Sequence, residues 1–285
     1  MARSLRSRAI RRLVPLLPGL LALLVVGSGC SAGSAGAGDV LDRVRNAGTV
    51  RVALTQANPP WNFVDAAARP MGYDVDVANE LARRLNVGKV EFIASNFQSF
   101  IEGVRANRFD MVISGQTITP QRREQVDFSR PYQVNGVSVF VRVGDRSING
   151  LADLAGRSVG VSAGTTQEKF AREKIADADV RTYQNATLAL TDLGRGGVDA
   201  MLVSRFQGSF LADRNGLAVK PAGELLEREV NGMSFRKDSP RLKQAVDEAL
   251  AAMIDDGTLS EISRRWLGGL DMAAELRLLP AEQNR

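Results

Sequence analysis

Histidine is absent from all 285 residues, and cysteine occurs once, as Cys30. The first absence excludes Ser-His and Cys-His nucleophile systems together with His-based zinc and iron sites. The second excludes a disulfide within the folded chain. A metal would have to rest on oxygen ligands alone, and no Asp/Asn loop with calcium-type spacing occurs. No metal and no cofactor is therefore implied. Acidic residues are missing from the first thirty positions, which instead hold Arg3, Arg6, Arg8, Arg11 and Arg12. The formal charge of +5 comes entirely from these five, since without them 32 basic residues face 32 acidic ones. A formally neutral body has no electrostatic footprint for a polyanion, so no nucleic-acid partner is expected.

What is present begins with that basic start. It runs into an apolar stretch from Leu13 to Val26 and then into Gly27-Ser28-Gly29-Cys30. This is the layout of a secretory signal peptide, too short and wrongly flanked to be a good spanning helix. Residues 1–30 read as a lipoprotein signal peptide with Cys30 as its lipidated residue, although Gly27 stands where such motifs usually carry Leu or another aliphatic. The protein is expected to be exported, and lipid-anchored to the outer face of the cell membrane or held in the periplasm. Residues 31–48 read as a flexible tether, opened by the small-residue run SAGSAGAG from Ser31 to Gly38. Residues 271–285 read as a C-terminal tail.

Between these ends the chain is long enough for one large or two modest domains. Val50, Val52 and Leu54 alternate in a strand, Thr49–Thr55. In Asp74–Leu85, by contrast, Val75, Ala78, Leu81, Ala82 and Leu85 fall on one helical face. A strand at Val90–Ala94, a helix at Phe97–Ala106 and a strand at Met111–Ser114 follow. A second unit starts after the strand Val137–Val143, with strands at Ser158–Ser162, Val180–Tyr183 and Val198–Val203 and helices at Thr166–Ile175 and Thr187–Leu193. Val230–Phe235 reads as a return strand, and Pro240–Ile254 and Leu259–Trp266 as closing helices. Strands alternating with helices in this way predict an α/β fold with a largely parallel sheet.

The stretch ISGQTITPQRREQVDFSRPY, from Ile113 to Tyr132, carries the chemistry. A strand end passes through Ser114, Gly115 and Thr117 into Thr119-Pro120, a strong helix start, with Arg122 in the first turn. Free backbone N–H groups beside a two-pronged guanidinium make a seat for a carboxylate. Farther on, Thr165 followed by Glu168 reads as a capping box at the start of a second helix.

The segment from Ile113 to Tyr132 closely resembles the carboxylate-gripping segment of the family 3 extracellular solute-binding proteins. GYDVDVANELARRL (Gly72–Leu85), GVSAGTTQEKF (Gly160–Phe170) and IDDGTLSEISRRWLG (Ile254–Gly268) resemble the same family in the same order. The resemblance implies a two-lobed periplasmic-binding-protein fold of type II with two crossing hinge strands. Lobe 1 would comprise residues 49–141 plus 231–270, and lobe 2 residues 142–230. It implies a monomeric receptor of an ABC importer, binding a small carboxylate-bearing ligand, a polar amino acid above all, and docking on a membrane permease. Arg122 matches the arginine that pairs with the ligand carboxylate, while Ser114, Gly115 and Thr117 match positions that donate and accept around it. Thr165 and Thr166 would serve from the opposite lobe, where helix capping explains them equally well. Trp61 and Phe97 match walls of the cleft and fit ordinary core positions as well.

Two positions depart from the family pattern. An aromatic is usual where this chain has Asn58. The strand VDAMLVS ends in Ser204, where an aspartate usually pairs with the ligand ammonium. A hydroxyl offers no counter-charge, and an unpaired ammonium in a dry cleft costs several kcal/mol. Three readings stay open: another acid reaches the ammonium, the ligand has none, or Arg205 meets a second acidic group on the ligand. The alternatives to an importer receptor are a periplasmic enzyme resembling cyclohexadienyl dehydratases, with Glu168 or another cleft carboxylate as general acid, and a sensor that presents ligand to a signalling partner.

Overall fold

A computed structural model describes residues 39–283; Cys30, the signal peptide and residues 31–38 lie outside them. Helix α1 (Val40–Ala47) is capped by Asp39, whose carboxylate accepts from the Leu41 N–H. Strand β1 (Thr49–Leu54) is followed by a small antiparallel sheet of β2 (Ala57–Asn58), β3 (Asn62–Val64) and β4 (Pro70–Met71). Then come α2 (Tyr73–Arg84), β5 (Lys89–Ala94), a 3₁₀ turn at Phe97–Ser99, α3 (Phe100–Arg105), β6 (Met111–Thr117), α4 (Pro120–Gln125) and β7 (Asp127–Phe128). The long strand β8 (Gln133–Arg142) leads to β9 (Ser158–Ser162), α5 (Thr166–Lys174), β10 (Asp179–Tyr183), α6 (Ala186–Arg195), β11 (Ala200–Ser204) and α7 (Arg205–Asn215). Strand β12 (Val219–Phe235) returns, and α8 (Pro240–Asp255), α9 (Thr258–Trp266) and α10 (Met272–Arg277) close the chain.

The main sheet runs β10-β9-β11-β8-β12-β6-β1-β5, with β7 paired to β12. At one end β1 pairs parallel with β5 and β6; at the other, β9 pairs parallel with β10 and β11. The two parallel halves are joined through β8 and β12, antiparallel to each other and to their outer neighbours β11 and β6. Each half has its own apolar interior. In the first, α1, α2, α8 and α9 bury Val44, Val77, Leu81, Leu250 and Leu259, and Phe100, Val104 and Phe128 fill the opposite face of the sheet. In the second, Val139, Val159, Val161 and Leu202 form one side, and Phe140, Leu190, Leu193 and Met201 the other. Two lobes with separate cores and two crossing strands are the arrangement expected of the sequence.

Where β8 and β12 cross, Asn231 stands opposite Gln133 and Glu229 opposite Asn135. Alternation along a strand puts all four on one face. That face is the floor between the halves, and all four residues are buried.

Two terminal expectations are corrected. Residues 40–47 of the expected tether form α1, which buries Val40, Leu41 and Val44 in the first core. Its Arg43 also donates to the buried Asp110 at 2.6 Å. Residues 271–279 of the expected tail likewise belong to the body: Asp271 caps α10, and Met272, Ala273, Leu276 and Leu279 enter the same core. Both helices are too short for apolar periodicity to announce them. Apolar periodicity does not announce helix α7 either, because Phe206 and Phe210 share a face that lies away from the one burying Gly208, Leu211 and Ala212.

Leu276 is 3% exposed. Leu276→Ala should lower the free energy of unfolding by about 2–4 kcal/mol in a urea titration, whereas a loose tail would leave the midpoint unmoved.

Candidate functional site

A cavity of about 80 Å³ lies between the two halves. At about 30 Å³ per water in the liquid, that is room for about three waters. The first half contributes Asn58, Trp61, Phe97, Ser114, Gly115 and Thr117; the crossing strands contribute Gln133, Asn135 and Glu229; the second half contributes Ser162, Thr165, Thr166, Gln167, Ser204 and Gln207.

Thr119 caps α4 by accepting from the Arg122 N–H at 3.2 Å, and Pro120 holds the first helical position. The Arg122 side chain then spans the two halves. Its Nη1 donates to the Thr117 carbonyl at 2.9 Å and its Nη2 to the Gly164 carbonyl at 3.0 Å. The guanidinium also lies 5.5 Å from the centre of the Phe97 ring. Burial lowers its pKa and the nearby Glu229 raises it, but a guanidinium keeps its charge in either case. Arg122 lines an outer groove with Gly164 and Lys169, adjoining the cavity.

Gly164 packs closely against Gln98 of the other half. Its φ is +76°, and a Cβ there would stand 2.9 Å from the Gln98 Cα. Three more bonds cross the gap: Lys169 to Gln121 at 3.0 Å, Gln184 to Asn96 at 3.0 Å, and Gln207 to Asn58. Asn58, the departure from an aromatic, thus binds α7. Trp61 meets Phe206 of the same helix edge-on at 6.4 Å between ring centres. At 1% exposed it is core and cavity wall at once. Phe97 lines the cavity and stacks edge-on against Phe100 at 5.5 Å.

Beneath the seat runs a buried polar chain. Asp74, in the first turn of α2, accepts from Asn62 Nδ2 at 2.6 Å and from the Tyr132 hydroxyl at 2.9 Å. Asn62 also donates to Ser114 Oγ at 3.1 Å, and Tyr132 accepts from the Gly115 N–H at 2.8 Å. Ser114 and Gly115 are therefore held from behind, and the Gly115 N–H is engaged within the protein. Burial pushes the Asp74 carboxyl up to about 7, outweighing the pull of its two donors.

In the second half Thr165 caps α5, accepting from the Glu168 N–H at 3.2 Å and donating to the Ser162 carbonyl at 2.7 Å. Glu168 completes the capping arrangement by accepting from the Gly164 N–H at 2.8 Å, and it pairs with Arg172. It lines the outer groove with Arg122, so the general acid considered for an enzyme is not brought to the cavity. Ser204 lines the cavity, yet its hydroxyl donates to Asn135 Oδ1 at 2.5 Å while capping α7. Arg205 turns elsewhere, to Ser138 at 2.8 Å and the Gly223 carbonyl at 2.8 Å.

The residue that sequence reasoning missed is Glu229. It is 4% exposed and accepts from Thr117 Oγ1 at 3.1 Å, from Gln167 Nε2 at 2.8 Å and from the Thr166 hydroxyl. Burial raises its pKa, and the two threonine donors and Arg122 oppose that rise. Gln133 was missed as well; it is 0% exposed, and neither atom of its amide finds a protein partner. A signal existed, since Gln133 and Asn135 are alternating polar residues at the start of a valine-rich strand.

The family described as bacterial extracellular solute-binding proteins, family 3, matches residues 50–269. The L-cystine-binding protein TcyJ of Escherichia coli K12 is 32% identical over 253 residues, covering 88% of this chain and 94% of its own. Among solved structures, an ancestral arginine-binding protein bound to arginine superposes with a TM-score of 0.73 at 36% identity, covering 78% of this chain and 99% of its own. The ancestral amino acid-binding protein AncCDT-1, a precursor of cyclohexadienyl dehydratase, gives 0.73 at 33% identity, with 80% and 99% coverage.

Because Asp74 holds a proton more tightly folded than unfolded, its contribution to stability is full below about pH 4 and falls as pH rises toward 7. The loss amounts to about 4 kcal/mol at most. Urea midpoints from pH 4 to 8 should fall more steeply for the parent protein than for Asp74→Asn; equal slopes would show that Asp74 ionises freely in the fold.

Proposed function

This chain belongs to the bacterial extracellular solute-binding proteins of family 3, and on that premise we propose that it is the receptor of an amino-acid ABC importer. It binds a small carboxylate-bearing ligand, a polar amino acid, between its two lobes and presents the closed form to a membrane permease. The observation that carries this reading is the bridge made by Arg122 from its own lobe to the Gly164 carbonyl of the other, beside a cavity rimmed by Thr117 and Thr166. A ligand carboxylate entering there would meet the guanidinium and the N–H groups in the first turn of α5, with the Thr117 and Thr166 hydroxyls held on Glu229 beside it. Its binding energy would then favour the closed arrangement, which is how a ligand shifts a two-state hinge. The named relatives, binding cystine or arginine, support an amino acid as the ligand class.

The lobes are assigned to residues 49–141 plus 231–270 and to residues 142–230, with α1 and α10 added to the first. Bending falls to the crossing strands β8 and β12. Export and lipid attachment at Cys30 are proposed from the sequence, and the receptor is proposed to act as a monomer.

An enzymatic reading has one observation in its favour. Glu229 is a carboxylate lining the cavity, with its pKa raised by burial, and AncCDT-1 is a precursor of a dehydratase. The receptor is the better supported reading, because the named relatives are binding proteins.

A thermal-shift screen of the refolded domain against the L-amino acids and prephenate tests the choice. An amino acid at a hundredfold over its Kd should add about 2.7 kcal/mol, raising the midpoint by about 5–10 °C. Arg122→Ala should abolish that shift at the same concentration. Consumption of prephenate would instead establish the enzyme. A second check uses the closure contact: Gly164→Ala, with its Cβ pressed onto Gln98 only when the lobes meet, should weaken binding at least tenfold by calorimetry. Unchanged affinity would mean that ligand does not draw the lobes together at Gly164.

A further inference from the structure

The geometry points to Glu229, on the crossing strand β12, as the counter-charge for the α-ammonium of the ligand, in place of the acid that Ser204 lacks. The inference rests on the receptor reading and specifies its ligand as a zwitterionic α-amino acid rather than a simple carboxylate.

Ser204 is spent on the fold, donating to Asn135 and capping α7. The acid has not been lost from this region, only displaced. Asn135, the partner of Ser204, stands directly opposite Glu229 in the β8–β12 register. Glu229 therefore occupies the next place along the same polar floor. It lines the cavity and is fixed by Thr117 from one lobe and by Thr166 and Gln167 from the other.

The spacing of charges also fits. Thr117 is shared by both charged groups: its carbonyl accepts from Arg122 Nη1 at 2.9 Å, and its hydroxyl donates to Glu229 Oε1 at 3.1 Å. A cation and an anion presented from two sides of one residue match two opposite charges carried by a single carbon atom. An independent observation comes from Gln133. Its amide is fully buried at the cavity with no protein partner for either atom. Buried amides left unpaired cost about 1–3 kcal/mol, so an amide held there is suited to a polar ligand. Its oxygen offers an ammonium a second acceptor beside the carboxylate, and its nitrogen offers a ligand oxygen a donor.

Calorimetry on the refolded protein with L-arginine, L-cystine and L-glutamine, each beside its deaminated analogue, tests the assignment. Glu229→Gln keeps the side-chain shape and the acceptor for Thr117. It should lose at least thirtyfold in affinity for the amino acid that binds the parent, with the deaminated analogue unaffected or improved. The double variant Glu229→Gln/Ser204→Asp should regain much of the loss, since it returns an acid one place along the floor. Equal losses for amino acid and analogue would overturn the assignment, leaving Glu229 as a closure contact. So would undiminished binding by Glu229→Gln, or a parent that prefers the deaminated analogues. A parent that binds no L-amino acid in the wider thermal-shift screen would instead remove the receptor reading itself.

Discussion

The antiparallel pairing of β8 with β12 is the constraint from which the rest of the molecule follows. It makes one continuous sheet of two halves whose own strands run parallel and whose apolar interiors stay separate. The pairing must also pass through the space between the halves. There the strands cannot be apolar on both faces without filling the gap with core, so one face carries Gln133, Asn135, Glu229 and Asn231. A structural necessity thus yields a floor of polar groups held by backbone ladders, at a place that both lobes line.

Around that floor, groups from the two lobes are matched in kind. Each lobe offers a hydroxyl, Thr117 from one and Thr166 from the other, and both converge on Glu229. Each also ends a strand at a capped helix, Thr119 before α4 and Thr165 before α5. Arg122 joins the two by reaching the Gly164 carbonyl, and only glycine allows the approach there. The site is rigid on one side, where Asp74, Asn62 and Tyr132 brace Ser114 and Gly115 from within the first core. Several contacts across the gap are instead made by side-chain tips, Gln207 with Asn58 and Lys169 with Gln121, which separate at little cost. This division between a braced seat and loosely latched lobes suits a protein that must both grip and open.

Much of this was legible in the chain before any coordinates. Alternating Val50, Val52 and Leu54 announced β1, and Thr119-Pro120 and Thr165–Glu168 announced two helix starts, because each signal lies within a few residues and reflects local sterics or capping. The illegible parts share a different origin. Helices α1 and α10 are too short to show a period, and they exist because the first core has room to bury Val44 and Leu276. Glu229 reads in sequence as one charge among several in a polar stretch, and its neighbours in space lie 63 and 112 residues away. No spacing rule could have paired it with Thr117.

The sequence by itself determined the alternation of strands and helices, the capped turn around Arg122, the formal neutrality of the chain beyond residue 30 and the exclusion of histidine chemistry. All of these are set by residue type and short-range order. Tertiary structure alone decided which polar groups meet. It spent the Ser204 hydroxyl on Asn135, turned Arg205 away to Ser138, kept Glu168 as a cap outside the cavity and brought Glu229 into it. The physical reason is strand register. A single step along β12 decides whether a carboxylate faces solvent or the cleft, and that register is fixed only when β8 lies against it.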